Sequence, residues 1–161
     1  MVISKMKDLE IFTITNSEDI ISLYPEADSN RKIKIKTDIK KDIGDAAVGN
    51  RIIYGARLKG KIVGTIQLVF RMDKTFYADG KAKAHLHHAR VRQESRGIGI
   101  GSYLVKIITD EARARKFKEV TLGVEETNIN AVKLYERLGY KEFMREEGDE
   151  GEIIIGMSKK L

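Results

Sequence analysis

The residues best suited to chemistry stand in one short run. From Val91 the chain reads Val-Arg-Gln-Glu-Ser-Arg-Gly-Ile-Gly-Ile-Gly-Ser, which places glycine at 97, 99 and 101 behind Arg96 and ahead of Ser102. Glycine lets the backbone take positive φ values and approach a ligand closely, so alternating glycines can turn several amides towards one point. A phosphate suits such a cradle, the more so where a helix follows, because its first amides lack intrahelical partners and carry the positive end of its dipole. Two common phosphate motifs fail on their residues. A nucleotide P-loop requires Gly-Lys-Ser/Thr, and no lysine separates Gly101 from Ser102. The dinucleotide fingerprint requires glycine at 102 or 104, where Ser102 and Leu104 stand. A turn that merely packs a helix against a sheet needs fewer than three alternating glycines. Upstream, His85, His87 and His88 bring groups that titrate near neutrality. His85 and His87 share one face of a strand and His88 takes the other. Two histidines at that spacing can chelate, but the chain has no cysteine and no third ligand at useful spacing, so no metal is expected.

These residues need a strand before the glycines and a helix after them. Ala84–Val91 reads as that strand, and Ser102–Lys116 as that helix, with Leu104, Ile107, Ile108 and Ala112 on one face and Lys106, Asp110 and Arg113 on the other. Ahead of them lie a short strand, Leu9–Ile14, a helix capped by Ser17 and running to about Tyr24, and a helical stretch over Thr37–Val48. Ile52–Leu58 and Ile62–Phe70 are β-rich and joined by Lys59-Gly60-Lys61, an antiparallel hairpin. Phe76–Lys83 reads as a loop or fraying strand edge. Strand Val120–Val124, helix Ile129–Leu138 stopped by Gly139, strand Tyr140–Arg145, an acidic turn and strand Glu152–Ser158 complete the chain. The order β-α-α-β-β-β-α-β-α-β-β implies an α/β fold with one mixed, mostly antiparallel sheet flanked by helices, parallel around the glycine-rich helix.

Arg96-x-x-Gly99-x-Gly101 resembles the Q/R-x-x-G-x-G/A motif of the GNAT superfamily of N-acetyltransferases. The later segment Asn128-Ile-Asn-Ala131-Val-Lys-Leu-Tyr135-Glu-Arg-Leu-Gly139-Tyr140 is similar to that family's N-x-x-A-x-x-L-Y-x-x-x-G-F/Y stretch, with tyrosine in the last place. The two occur in the family's order with Val120–Val124 between them. The resemblance covers about Gly55 to Ser158, and the N-terminal third matches only in layout.

The resemblance implies acetyl-CoA as cosubstrate and an acetyl transfer to a primary amine. Arg96, Gly97, Ile98, Gly99, Ile100, Gly101 and Ser102 would form the pyrophosphate loop. The strand before it would be bulged and splayed from its neighbour, with the backbone of Ala89, Arg90 and Val91 facing the pantothenate arm and amides that stabilise an oxyanion. Asn128 would contact the same arm, although as a plain helix cap it needs no ligand. Tyr135 would be the general acid that protonates the departing sulfur; it also shares a helix face with Ala131, Leu134 and Leu138, which suits a core aromatic equally. For the base, His85 takes the place where several relatives carry glutamate; Glu125 or Glu126 at the end of the next strand, a water chain, or no dedicated base are the other readings.

Composition narrows the alternatives. The chain has 161 residues, 42% hydrophobic and 34% charged, a globular balance expected to form a single N-acetyltransferase domain over residues 1–161. With no cysteine, a disulfide framework, a thiolate metal site and a cysteine nucleophile are all excluded. The opening Met1–Lys7 carries no apolar leader, and no segment approaches the about 20 apolar residues of a membrane span, so a soluble, cytoplasmic protein without membrane contact is expected. The net charge of +6 divides evenly between the halves, and aromatics are only 7%, which disfavours a nucleic-acid stripe. A non-catalytic acyl-CoA-binding regulatory module on the same fold is the alternative to an enzyme. The acceptor region implied by the family, Ser17–Gly49 and Arg71–Lys81, holds Asp38, Asp42, Asp45, Asp73 and Asp79, without distinguishing a small-molecule from a protein amine. A homodimer paired through the last strands is a further expectation of the resemblance.

Overall fold

The computed structural model describes residues 6–161; Met1–Lys5, most of the opening segment without an apolar run, lie outside the described residues. The elements are β1 (Leu9–Thr13), α1 (Ser17–Ile21), α2 (Ser29–Ala47), β2 (Arg51–Leu58), β3 (Lys61–Val69), β4 (Lys83–Val91), α3 (Ile100–Ala114), β5 (Glu119–Glu125), α4 (Ile129–Arg137), β6 (Lys141–Glu147) and β7 (Ile153–Lys160), with a 3-10 turn at Gln93–Ser95 before α3. This is the expected order, element for element. The strands form a mixed seven-stranded sheet in the order β1-β2-β3-β4-β5-β7-β6. Among the described residues no helix is long and apolar enough to cross a membrane.

The chain divides into two compact units, the first comprising the described residues to Leu68 together with His88–Val105. There β1 and β2 pair antiparallel from Leu9↔Leu58 to Thr13↔Tyr54. Gly55 stands where a Cβ would come within 2.6 Å of Phe12 Cζ, so only glycine leaves room for that ring. A two-residue turn with positive φ at Lys59 (50°) and Gly60 (78°) closes the β2–β3 hairpin, the handedness that matches strand twist. Helix α1 is capped by Asn16, whose side chain accepts from Asp19 N at 3.1 Å. Ser17 was the expected cap, but it is already helical, and Asn16 holds the extended conformation a cap requires. The helix also stops at Ile21, short of Tyr24, since the residue before Pro25 is biased out of helical conformation.

Helix α2 begins eight residues before the expected Thr37, with Asp28 accepting from Arg31 N at 2.8 Å. The alternation Lys-Ile-Lys-Ile-Lys over 32–36 imitates a strand. In the helix, Ile35, Ile39 and Ile43 fall on one face and join the core of Ile14, Ile20, Ile39 and Ile53. Asp42 sits on this helix and is 7% exposed. Its carboxylate lies 2.8 Å from Arg51 Nη1 and accepts from Gln67 Nε2 at 3.0 Å, while Gln67 Oε1 accepts from Arg51 at 2.7 Å. Removing the Asp42 carboxylate takes the acceptor from the buried Gln67 amide nitrogen, while Arg51 keeps Asp45 at 2.7 Å. Asp42→Ala is therefore expected to cost about 1–3 kcal/mol, read as a lower urea midpoint; a loss under about 0.5 kcal/mol would show the network to be solvated.

The second unit comprises Val69–His87 and Lys106–Leu161. Within it β4 runs parallel to β5 over Lys83↔Glu119, Ala84↔Val120 and His85↔Thr121. Strand β7 lies antiparallel to both β5 and β6, and the β6 register shifts between Glu142 and Met144. Ile108, Ala112, Val120, Leu122 and Met157 are buried here. The loop before β4 ends at Asp79, whose Oδ1 accepts the amides of Lys81, Ala82 and Lys83 at 2.8–2.9 Å. Those three bonds hold its carboxyl down at about 2, and they aim the chain into β4.

Candidate active site

The glycine run belongs to the first unit. After Val91, Arg96 N donates to Gln93 O at 3.2 Å to close the 3-10 turn, and the chain then passes through positive φ at Gly97 (80°) and Gly99 (97°). Such values suit glycine and strain other residues. Helix α3 starts at Ile100, two residues before the expected Ser102, with Tyr103 N donating to Gly99 O at 3.0 Å. The buried Ile100 side chain, 1% exposed, draws the first turn inwards. Ile100, Gly101 and Ser102 therefore supply first-turn amides, which helix geometry leaves without intrahelical acceptors. A Cβ on Gly97 would meet no atom within 4 Å, so the turn opens onto space. Arg96 curls back, its Nε donating to Val91 O at 2.9 Å, and keeps its charge beside the loop. The arrangement offers amides, a helix N-terminus and a cation to an anion of phosphate type.

The end of β4 leads into this loop. His88 takes φ 47°, a left-handed value in a non-glycine residue, which interrupts strand alternation and is the local deformation expected of a bulged strand. Its Nδ1 lies 3.6 Å from Asp42 Oδ2. Ala89 is exposed, and Arg90 and Val91 are half-buried. Gly64 permits close approach here, since a Cβ would meet the Arg90 carbonyl at 3.1 Å and Leu104 at 3.2 Å. Two residues escaped the sequence reading in their actual roles. Arg90 donates to Leu23 O at 2.8 Å, pairs with Glu26 and lies 4.0 Å over the Tyr24 ring. Arg92 donates to Ile62 O at 3.1 Å and Ser22 O at 2.8 Å. Their spacing of two, placing both on one side of a strand, was the only available signal.

The remaining candidates lie in the second unit. His85 is 4% exposed, its Nδ1 is 2.9 Å from Thr121 Oγ1, and its ring lies 5.6 Å from that of His87. Tyr77, from the loop before β4, tilts over His85 at 4.6 Å between ring centres. The Tyr77 hydroxyl donates to Glu146 at 3.1 Å, and Lys74 pairs with that carboxylate at 2.7 Å. Burial and the Glu146 charge push the Tyr77 phenol well above its ordinary range. Among the described residues no group of three or more His, Cys, Asp or Glu side chains stands in metal-holding geometry.

Tyr135 is 8% exposed on α4, and burial raises its phenol above the ordinary value of about 10. Two backbone bonds fix it at the helix end: Gly139 N to Glu136 O and Tyr140 N to Tyr135 O, both 3.0 Å, with Gly139 at φ 92°. This is a Schellman closure, and it explains why glycine and an aromatic follow Tyr135 at that spacing. Tyr140, 2% exposed, meets the Tyr135 ring edge-on at 5.8 Å, and burial pushes its own phenol up to about 12. Asn128 caps α4, its Oδ1 accepting from Ala131 N at 3.3 Å, and its own amide donates to Glu125 O at 2.9 Å. The Glu125 side chain is exposed, and Glu126 pairs with Arg145. The acids of the acceptor region are mostly engaged elsewhere: Asp42 and Asp45 hold Arg51, and Asp79 is taken up by backbone amides.

Known proteins resemble this chain in sequence and in fold. The family model described as Acetyltransferase (GNAT) family matches residues 16–140. N-acetyltransferase 8B of Homo sapiens is 33% identical over 86 residues, which cover 53% of this chain and 37% of that protein, so the chain spans little more than a third of that relative. In fold it is similar to the PaiA N-acetyltransferase of Thermoplasma acidophilum in complex with coenzyme A, with a TM-score of 0.70, 19% identity, and 95% and 99% of the two chains covered. It is also similar to the ribosomal-protein-S18-alanine N-acetyltransferase of Escherichia coli, with a TM-score of 0.71, 18% identity, and 94% and 93% covered. With the family model extending across the glycine loop and the Tyr135 helix alike, the chain belongs to the acetyltransferase (GNAT) family.

Proposed function

We propose that this chain is an acetyl-CoA-dependent N-acetyltransferase that moves an acetyl group to a primary amine by direct attack on the thioester, with residues 1–161 acting as one catalytic domain. The observation that carries the proposal is the pair of left-handed glycines, Gly97 and Gly99, set against the open first turn of α3 and the Arg96 guanidinium. That cradle fits a pyrophosphate in charge and in donor type. Coenzyme A bound in the Thermoplasma relative supports the choice of ligand.

Acetyl-CoA, when bound, supplies a thioester carbonyl and a leaving sulfur. Loop residues Arg96 to Ser102 hold its pyrophosphate, and the backbone of Ala89, Arg90 and Val91 lines its arm, with Asn128 a further contact. His85 accepts a proton from the acceptor ammonium, directly or through water; the alternative acceptor is the exposed carboxylate of Glu125. The freed amine forms the new C–N bond while the C–S bond breaks. Tyr135 then gives its proton to the sulfur, and the tyrosinate takes up the proton that the acylated nitrogen sheds, directly or through water. A phenol raised by burial is fully protonated at neutral pH, so the proton is in place before the thiolate forms.

Calorimetric titration of the purified protein with acetyl-CoA tests the reading at its base. Saturable binding is expected, followed by amine-dependent thiol release across a panel of small and peptidyl primary amines. A folded protein that binds no acetyl-CoA would refute the proposal, and one that binds it without turnover on any amine would point to a regulatory module.

A further inference from the structure

Three groups outside the glycine loop form one chain: His85 on β4, Thr121 opposite it on β5, and the Tyr77 carbonyl in the loop before β4. Thr121 Oγ1 is 2.6 Å from Tyr77 O and 2.9 Å from His85 Nδ1, and Thr121 is fully buried. A carbonyl oxygen only accepts, so the single hydroxyl proton of Thr121 is committed to Tyr77. Towards the imidazole Thr121 then has only lone pairs to offer. The proton in that bond must come from His85, and the ring carries it on Nδ1.

We infer that Thr121 is a positioning residue that holds neutral His85 as the Nδ1–H tautomer, so that proton uptake occurs only at Nε2. The inference rests on the proposal that His85 is the base and adds how that base is set. In the neutral ring Nε2 bears the lone pair; in the cation both nitrogens carry hydrogen, and Nδ1–H still donates to Thr121. Proton uptake and release therefore leave the Thr121 bond intact, and no side chain has to turn between the two states. The Tyr77 carbonyl polarises the hydroxyl, which makes Oγ1 a better acceptor for the ring. Orientation is set from a second side by the Tyr77 ring, 4.6 Å from the imidazole. That ring is itself tied down by the Glu146 bond at 3.1 Å, and its backbone by Tyr77 N donating to Lys74 O at 2.9 Å. Threonine is suited to the place because it is neutral: a carboxylate there would favour the imidazolium, whereas a base must start without its proton.

The test uses the full chain labelled with ¹⁵N-histidine, with His85→Gln assigning the signal, and it needs no substrate. With its ring neutral, His85 should show a protonated-type Nδ1 and an unprotonated-type Nε2. Thr121→Val, nearly isosteric, should lose this pattern, and Thr121→Ser should restore it. In steady-state assays Thr121→Val should lower kcat on the order of tenfold with the KM for acetyl-CoA unchanged, and Thr121→Ser should recover most of the rate. An Nε2–H ring in the native protein, or a tautomer indifferent to Thr121→Val, would overturn the inference. A correct tautomer with full activity in His85→Gln would overturn its catalytic half by removing His85 as base. Failure of acetyl-CoA binding is a separate result, seen by calorimetry, and leaves the tautomer measurement standing.

Discussion

Replacing Gly99 and Gly101 together by aspartate is expected to raise the dissociation constant for acetyl-CoA by about 1000-fold or more, measured by calorimetry, in a protein that still folds. Gly99 stands at φ 97°, where a side chain costs about 1–2 kcal/mol of backbone strain, so the turn shifts or loses its aim. Both carboxylates would lie where a pyrophosphate must bind, and each charge-assisted bond lost from an amide removes about 1.5–3 kcal/mol. Two such losses amount to about two to four orders of magnitude in affinity, and like-charge repulsion adds to them. The fold should tolerate the change because acids at a helix N-terminus favour the macrodipole, so α3 itself is not weakened. Circular dichroism separates this outcome from unfolding. Native-like binding by the variant would place the cofactor elsewhere.

Tyr135→Phe should lower kcat by about 10²–10³-fold and leave the KM for acetyl-CoA within about twofold of native. Phenylalanine keeps the ring that meets Tyr140 edge-on at 5.8 Å and fills the same buried space, while losing the proton that the proposed acid would give. The Schellman closure at Gly139 is made by backbone and is untouched. The stability change should therefore be small, about 1 kcal/mol or less. A variant with native kcat would assign Tyr135 to the core alone. A variant that is inactive and also unstable would call for comparison with Tyr140→Phe, which removes a buried hydroxyl from the same pair without touching the proposed acid.

Much of this molecule can be read from its sequence because its elements carry their own signals. The hairpin announces itself through Lys59-Gly60, and Gly139 stops α4 where its backbone turns left-handed. What stays hidden has physical reasons. Alternating isoleucine and lysine at 32–36 fits either period, and only burial of Ile35 and Ile39 against Ile14 and Ile53 decides for helix α2. Asn16 and Ser17 are equally good caps by residue type, and the backbone dihedral chooses between them. Helix α3 starts earlier than its periodicity suggests because isoleucine and glycine at 100 and 101 do not look like a first turn. Thr121 was invisible as a partner of His85, since its proximity depends on the parallel register of two strands separated by a whole helix. Asp42 read as a free acid, because nothing local to α2 announces Arg51 and Gln67.

The arginines at 90 and 92 grip Leu23, Ser22 and Ile62 by their carbonyl oxygens. A carbonyl is common to every amino acid, so these anchors do not depend on which side chain the gripped residue carries. The two kinds of position should then differ sharply in how much change they accept. In a saturation library, Ser22 should admit most substitutions that keep the turn after α1, and Leu23 and Ile62 only as far as their own packing allows. Arg90 and Arg92 should admit almost none, lysine included, since an ammonium cannot reproduce the directed fork of a guanidinium. The turn after α1 is thereby free to vary in chemistry while staying in place, without disturbing the strand that leads into the glycine loop.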